Sequence, residues 1–332
     1  MQMKSPFTVK TSVVTLIALT AFLAIFFSGH RLKAEISHYV APPNIPFHAK
    51  PATATATATQ EVVRPLSDTI TGNKVATIVE TRPLPNLVPL ILHFASVLGP
   101  EWPIVIFTTA GVSEKLKEAQ MSAPFAKLVH NNRIHIATLP PDVVFSNSVA
   151  VSTFLTTAWV WEQLAPADHV LLFQTDSILC SNSEKKMEDY LEYDFIGAPL
   201  EGTGWGQGFN GGLSLRNRNL ILEVIQQANF TAELTHNRTL IAADENAPVI
   251  PCAVEDQWYH KKLIAMQQAG KPVKLPTTDV AKGFTVQILW DDRPLGYHQV
   301  EIWQKDKLGH IDTWCPEWRL IKEAMPFDPA PA

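Results

Sequence analysis

The sequence predicts an α/β body built on a mostly parallel sheet with helices on both faces. Short apolar runs of strand type recur along the chain, and segments with helical spacing separate them. Residues 75–79 form the first run, and Leu87–Leu98 has helical spacing. Ile104–Thr108 is the second run, followed by a helix into Ala119 that Ser113 is expected to cap. Residues 133–136 are the third run. A helix over 146–164 carries Phe154, Ala158 and Trp161 on one face, and residues 170–173 are the fourth run. In such sheets ligands bind at the carboxyl ends of the strands. That rule gathers Glu80, Arg82, Thr108, Gln174, Thr175 and Asp176 around one crevice. The C-terminal half alternates less clearly and is richer in Gly and Trp.

The chain of 332 residues has room for one large α/β domain or two small ones. A formal net charge of −5, with no run of Lys and Arg in the main body, speaks against a nucleic-acid partner. Residues 11–29 are apolar apart from small hydroxyl residues, long enough to cross a bilayer of about 30 Å. A cleaved signal peptide is the alternative. Its apolar core is usually only about 7–15 residues, and no small-x-small cleavage site precedes the charged flank. Lys4 and Lys10 lie before the segment; His30, Arg31 and Lys33 lie after it, so charge alone does not orient it. Two N-x-Thr acceptors, at Asn229 and Asn237, favour a lumenal body. Residues 30–73 are rich in Pro, Ala and Thr, the composition of an extended stem. The predicted layout is a cytosolic tail (1–10), an uncleaved transmembrane signal anchor (11–29), the stem (30–73) and a globular body (74–332). Such a single-pass type II protein belongs in the Golgi or endoplasmic reticulum membrane, with its body in the lumen. Cys180, Cys252 and Cys315 allow one disulfide and leave its pairing open.

Four constellations carry the chemistry. Asp176, in Phe173-Gln174-Thr175-Asp176-Ser177, directly follows an apolar strand, where a carboxylate can hold a divalent metal that bridges a diphosphate. An ordinary turn Asp is the plainer reading. The glycine-dense stretch from Gly202 to Gly212 brings backbone close to a ligand or makes a simple hairpin. It lacks the phosphate-loop lysine and the dinucleotide spacing. Glu255 and Asp256 open a helix; neighbours point about 100° apart, so one serves a site as general base and the other caps the helix or binds an acceptor hydroxyl. Acids placed there for the helix dipole are the alternative. His298 offers an imidazole late in the body.

In order, the motifs LLFQTDSILCSNS, YDFIGAPL, GFNGGLSLRN, EDQWYHKKL and PLGYHQVEIW resemble a fungal family labelled domain of unknown function 5672, grouped with GT-A glycosyltransferases. The likeness covers about residues 74–303. It implies a GT-A fold and transfer of a sugar from a nucleotide-diphosphate donor, taken as a UDP-sugar, to a lumenal glycan or glycoprotein acceptor. GT-A enzymes carry an Asp-x-Asp motif; here Gln174 stands at the first acidic position and leaves Asp176 as the metal or diphosphate contact. The resemblance implies that His298 completes a Mn²⁺ or Mg²⁺ site with Asp176. It makes Gly211 and Gly212 the wall of the donor and acceptor site, and Asp256, or failing it Glu255, the base. Glu80, Arg82, Gln174, Thr175 and Arg216 are expected around the nucleotide, the two arginines adding positive charge near the phosphates. A secreted glycoside hydrolase using Asp176 and Asp256, and a lumenal protein that kept the fold without catalysis, are the competing readings.

Overall fold

The computed structural model describes residue 66 and residues 70–118, 123–243 and 254–321, the side chains of 237–243 excepted. The predicted tail, the anchor and most of the stem lie outside the described residues, as do Cys252 and the side chain of Asn237. Among the described residues no helix is long and apolar enough to cross a membrane.

Nine strands form two sheets. They are β1 (Lys74–Val79), β2 (Ile104–Thr108), β3 (Ile134–Thr138), β4 (His169–Phe173), β5 (Ser177–Leu179), β6 (Phe195–Pro199), β7 (Phe209–Asn217), β8 (Thr285–Val286) and β9 (Gly296–His298) among the described residues. The larger sheet has the order β3-β2-β1-β4-β7-β6 and the smaller β5-β9-β8. Strands β1 to β4 run parallel; β7 is antiparallel to β4 and to β6. The mostly parallel sheet read from the sequence is therefore its first four strands, with an antiparallel pair on one side.

The strands are apolar runs because the sheet is covered on both faces. All five residues of β2 are buried, which a half-exposed strand with alternating polarity does not allow. The cover is visible at β4. Val170 pairs with Arg216 and Phe173 with Leu213, so Phe173 and Arg216 point to opposite faces. Phe94, from the helix Leu87–Leu98, stacks on Phe173 with ring centroids 3.9 Å apart. Trp161 and Tyr259, from the helices Ala158–Gln163 and Glu255–Gln268, lie against Arg216 on the other face.

Three local expectations are corrected. Ser113 does not cap its helix, which runs Ala110–Glu118; Thr109 stands ahead of it, its Oγ1 accepting the Val112 N–H and its carbonyl the Ser113 N–H. The single helix over 146–164 is two, Ser148–Leu155 and Ala158–Gln163. They part at Thr156 and Thr157, whose hydroxyls donate to the Thr153 and Phe154 carbonyls and close off the first helix. The core also reaches upstream of Lys74, since Ile70 is buried and Leu66 packs against it.

Cys180 and Cys315 are joined by a disulfide, a pairing left open by the sequence. It ties the end of β5 to the C-terminal turn Pro316–Ile321 and closes a long loop. Cys315→Ser is expected to lower unfolding free energy by about 2–5 kcal/mol. Urea unfolding of wild type and variant checks this. Reducing agent should lower the wild-type midpoint and leave that of the variant in place.

Candidate functional site

The parallel strands bring Asp176 to the carboxyl edge of the sheet, and the small sheet brings His298 to it. The Gln174 N–H continues the β4–β7 ladder by donating to the Gly212 carbonyl at 2.8 Å, and Asp176 follows in the turn into β5. Strand β5 pairs antiparallel with β9, Ser177 opposite His298. Asp176 Oδ1 thereby stands 3.2 Å from His298 Nε2. Both atoms are buried, and neither has a hydrogen-bond partner among the described residues. Gln299 completes the corner. It adopts a left-handed backbone (φ 52°), sparsely populated for a residue with a side chain. Its Nε2 donates to Asp176 Oδ2 at 2.9 Å, and its backbone N–H donates to the Asp176 carbonyl at 2.9 Å. Burial works to raise the Asp176 pKa, but the His298 imidazole and the Gln299 amide outweigh it and hold the carboxyl below its ordinary value.

Glu80, Arg82 and Thr175 gather where β1 and β4 end. Arg82 Nε and Nη2 donate to the two Glu80 carboxylate oxygens at 2.9 and 2.8 Å, and Nη2 reaches Thr175 Oγ1 at 3.4 Å. The Thr108 hydroxyl donates to the Glu80 carbonyl at 2.6 Å. The strand-end rule thus finds its residues side by side. The hydrogen bonds Arg82 donates to Glu80, more than the nearby Asp176 charge, raise the Arg82 pKa against burial. The Arg82 charge expected near phosphates is therefore already countered by Glu80.

The glycine pair joins this corner to the acids. Ile196 pairs with Leu215 but Ala198 with Asn210, so β7 bulges through Gly211 and Gly212. The Gly211 N–H donates to Asp256 Oδ2, and the Gly212 N–H to Asn210 Oδ1, each at 2.8 Å. A Cβ on Gly212 would fall 2.2 Å from His298 Nε2, and one on Gly211 2.4 Å from Arg216 Nη2. The space a side chain would take is filled by protein, which is why only glycine fits.

Glu255 and Asp256 diverge, as neighbours on a helix must. Glu255 turns inward, accepting from Arg216 Nη2 at 3.1 Å and from the Ser152 hydroxyl at 2.9 Å. Arg216 is itself 0% exposed. This corrects two expectations. Arg216 points into the layer of Trp161 and Tyr259 rather than toward phosphates, and both oxygens of Glu255 are engaged inside the protein, Oε1 by Arg216 and Oε2 by Ser152. Asp256 remains, with its pKa raised to about 7 by burial and by the Glu255 charge, against the hydrogen bond from Gly211 and the field of Arg216.

Several contributors are missed by sequence reading. Gln299 directly follows His298, but only its left-handed backbone turns the amide onto Asp176. Asn210 precedes the glycine pair, and its role depends on the bulge. Ser152 sits inside a helix and gives no local sign that it meets Glu255.

Sheet order and site together define the class: an α/β protein with a buried Asp–His pair and a buried acid gathered beyond the carboxyl ends of its parallel strands. The chain belongs to the family described as Protein of unknown function (DUF5672), whose profile matches residues 133–298. Among solved structures it is similar to the apo form of the glycosyltransferase GlyE of Streptococcus pneumoniae TIGR4, at 14% identity and TM-score 0.40, over 74% of this chain and 63% of that one. It is likewise similar to a second structure of GlyE, at 14% identity and TM-score 0.41, over 75% and 62%. The chain thus spans less than two thirds of the GlyE chains it matches. No curated protein matches the sequence.

Proposed function

We propose that the protein transfers a glycosyl group from a nucleoside-diphosphate sugar, taken as a UDP-sugar, to a glycan or glycoprotein acceptor. The observation that carries this reading is the buried pair of Asp176 Oδ1 and His298 Nε2, 3.2 Å apart and without hydrogen-bond partners among the described residues. One carboxylate oxygen and one imidazole nitrogen facing each other suit a divalent cation. Among the described residues no group of three or more His, Cys, Asp or Glu side chains comes together. A cation held by Asp176 and His298 would therefore complete its coordination from water and a diphosphate, as Mg²⁺ does at phosphate sites. When bound, Mn²⁺ or Mg²⁺ supplies positive charge to the diphosphate leaving group.

The proton chemistry falls to Asp256. Its carboxylate takes the proton of the acceptor hydroxyl as that oxygen bonds to the anomeric carbon; the bond from this carbon to the diphosphate oxygen breaks, and the nucleoside diphosphate leaves. A single displacement of this kind inverts the anomeric centre. The Gly211 and Gln257 N–H groups donate to the two Asp256 oxygens at 2.8 and 2.6 Å and fix its orientation. The Cys180–Cys315 disulfide and the exposed Asn229 acceptor support a lumenal body, with residues 11–29 as the type II anchor in the Golgi or endoplasmic reticulum membrane.

Calorimetric titration of the full chain with UDP, with and without Mn²⁺, tests the reading. Wild type should bind UDP only with Mn²⁺, and Asp176→Ala should lose that binding. Absence of binding to both UDP and GDP under either condition would overturn it.

A further inference from the structure

An aspartate carboxylate turns about its last bond in a broad, two-fold well, so Asp176 alone could present either oxygen, or both, to a ligand. Gln299 removes that freedom. It holds Asp176 at two points, its backbone N–H on the Asp176 carbonyl and its Nε2 on Oδ2, each at 2.9 Å. Oδ1 is left buried, without a hydrogen-bond partner among the described residues, and faces His298 Nε2 at 3.2 Å. The Gln299 amide is itself fixed. Its Oε1 accepts from Trp303 Nε1 and from Gln287 Nε2, each at 3.2 Å. An indole nitrogen only donates, so the amide oxygen must face Trp303 and the amide NH₂ must face Asp176. Both donors are held in turn. Gln287 is buried, and Gln304 Nε2 donates to its carbonyl at 2.7 Å and to that of Ile288 at 2.9 Å. Trp303 ends the short helix Val300–Trp303 and meets the exposed Trp205 ring edge to face, with centroids 5.0 Å apart. The left-handed backbone of Gln299 lets it turn back on Asp176 directly after His298 leaves β9. Strain of that kind persists where the surroundings over-determine it.

We propose that Gln299 is the positioning residue of the cation site. It occupies Asp176 Oδ2 and leaves Oδ1 as the one carboxylate oxygen offered, with His298 Nε2, to a divalent cation. The cation rests on the glycosyl-transfer reading; the restriction to one oxygen rests on the Gln299 contacts. One carboxylate oxygen beside an imidazole suits a cation of octahedral preference that keeps several waters, such as Mn²⁺ or Mg²⁺. It suits Ca²⁺ poorly, because Ca²⁺ gathers about 6–8 oxygen ligands and commonly takes both oxygens of a carboxylate. Gln299 therefore sets the selectivity of the site as well as its affinity, through Asp176 and without touching the cation.

Water-proton relaxation by Mn²⁺ on the full chain in detergent tests this, with and without UDP and with Ca²⁺ as competitor. Wild type should enhance the relaxation, Asp176→Ala should abolish the enhancement, and Ca²⁺ should displace Mn²⁺ poorly. Gln299→Met keeps the length of the side chain and loses the donor. It should bind Mn²⁺ about 10–100-fold more weakly, the usual cost of losing a partner of a metal ligand. Ca²⁺ should lose less, so the ratio of Ca²⁺ to Mn²⁺ affinity should rise by about tenfold. Gln299→Asn accepts the left-handed backbone more readily, but its amide is one carbon too short to reach Asp176, and it should show the same shift. The Asn variant carries the test if the Met variant does not fold. Mn²⁺ affinity kept in the variants, or Mn²⁺ and Ca²⁺ weakened in equal measure, overturns the positioning role and leaves the transfer reading standing. Mn²⁺ binding that depends on Asp176 and Gln299 in a chain that binds neither UDP nor GDP supports the positioning role and sinks the transfer reading. A wild type that takes up no Mn²⁺, with or without UDP, overturns both.

Discussion

Replacing Asp256 by Asn should reduce glycosyl transfer by about 10²–10⁴-fold, the usual contribution of a general base. The variant keeps the size of the side chain and an oxygen for the Gly211 N–H, and gives up the hydrogen bond from the Gln257 N–H. The pH dependence makes the prediction specific. With its pKa raised to about 7, Asp256 must lose a proton to act, so the wild-type rate should rise with pH through about 7 and level above it. Stability should run the other way. The native carboxyl holds its proton more tightly than the unfolded chain does. Its stabilising contribution is therefore complete below the ordinary carboxylate range and lost as pH rises through about 7. Rates and urea midpoints measured between about pH 5 and pH 9 read both trends. The Asn variant should show neither the rise in rate nor this part of the fall in stability. An Asn variant with the wild-type rate would remove Asp256 from the mechanism.

Glu255→Ala is expected to destabilise the fold by about 3–5 kcal/mol, the scale for removing one partner of a buried ion pair. Arg216 would stay behind with no exposure and no carboxylate. Its guanidinium already lies within 5.1–5.8 Å of the Trp161, Phe195 and Tyr259 ring centroids, a layer with little water to answer its charge. Its Nη1 lacks a hydrogen-bond partner among the described residues even in the wild type. Replacing both partners, as Arg216→Met with Glu255→Leu, should recover most of the loss, because neither member of the ion pair is then left buried without the other. Urea unfolding of the single and double variants measures this. A Glu255→Ala variant as stable as wild type would refute the structural role. Glu255→Gln carries a second expectation. It removes the charge that raises Asp256 and leaves that of Arg216, so the pH–rate profile should move to lower pH.

Much of the scaffold was legible because strands and helices are local patterns. Leu87–Leu98 and Ile104–Thr108 fall where spacing and apolar runs put them. The strand-end rule gathered Glu80, Arg82, Thr175 and Asp176, which the parallel β1–β4 pair does bring together. The misreadings have local causes of another kind. The break after Leu155 depends on two threonine hydroxyls turning back on the helix, a competition that apolar spacing does not record. Arg216 is expected from the sequence to add positive charge near the phosphates, but it lies inside β7 and is buried. Only the register of β7 against β4 shows which face it takes.

The sequence by itself determined the alternation of strands and helices, the placement of acids at strand and helix ends, and the divergence of Glu255 from Asp256. Each depends on geometry within one element. Only the tertiary structure decided that Cys180 pairs with Cys315, that Gln299 turns onto Asp176, and that Glu255 goes inward to Arg216. It also decided that Trp205 and Trp303 come together outside. These are contacts between elements far apart in the chain. They depend on strand register, a bulge and a left-handed residue, and such features follow from the packing of the whole body rather than from any local run of residues.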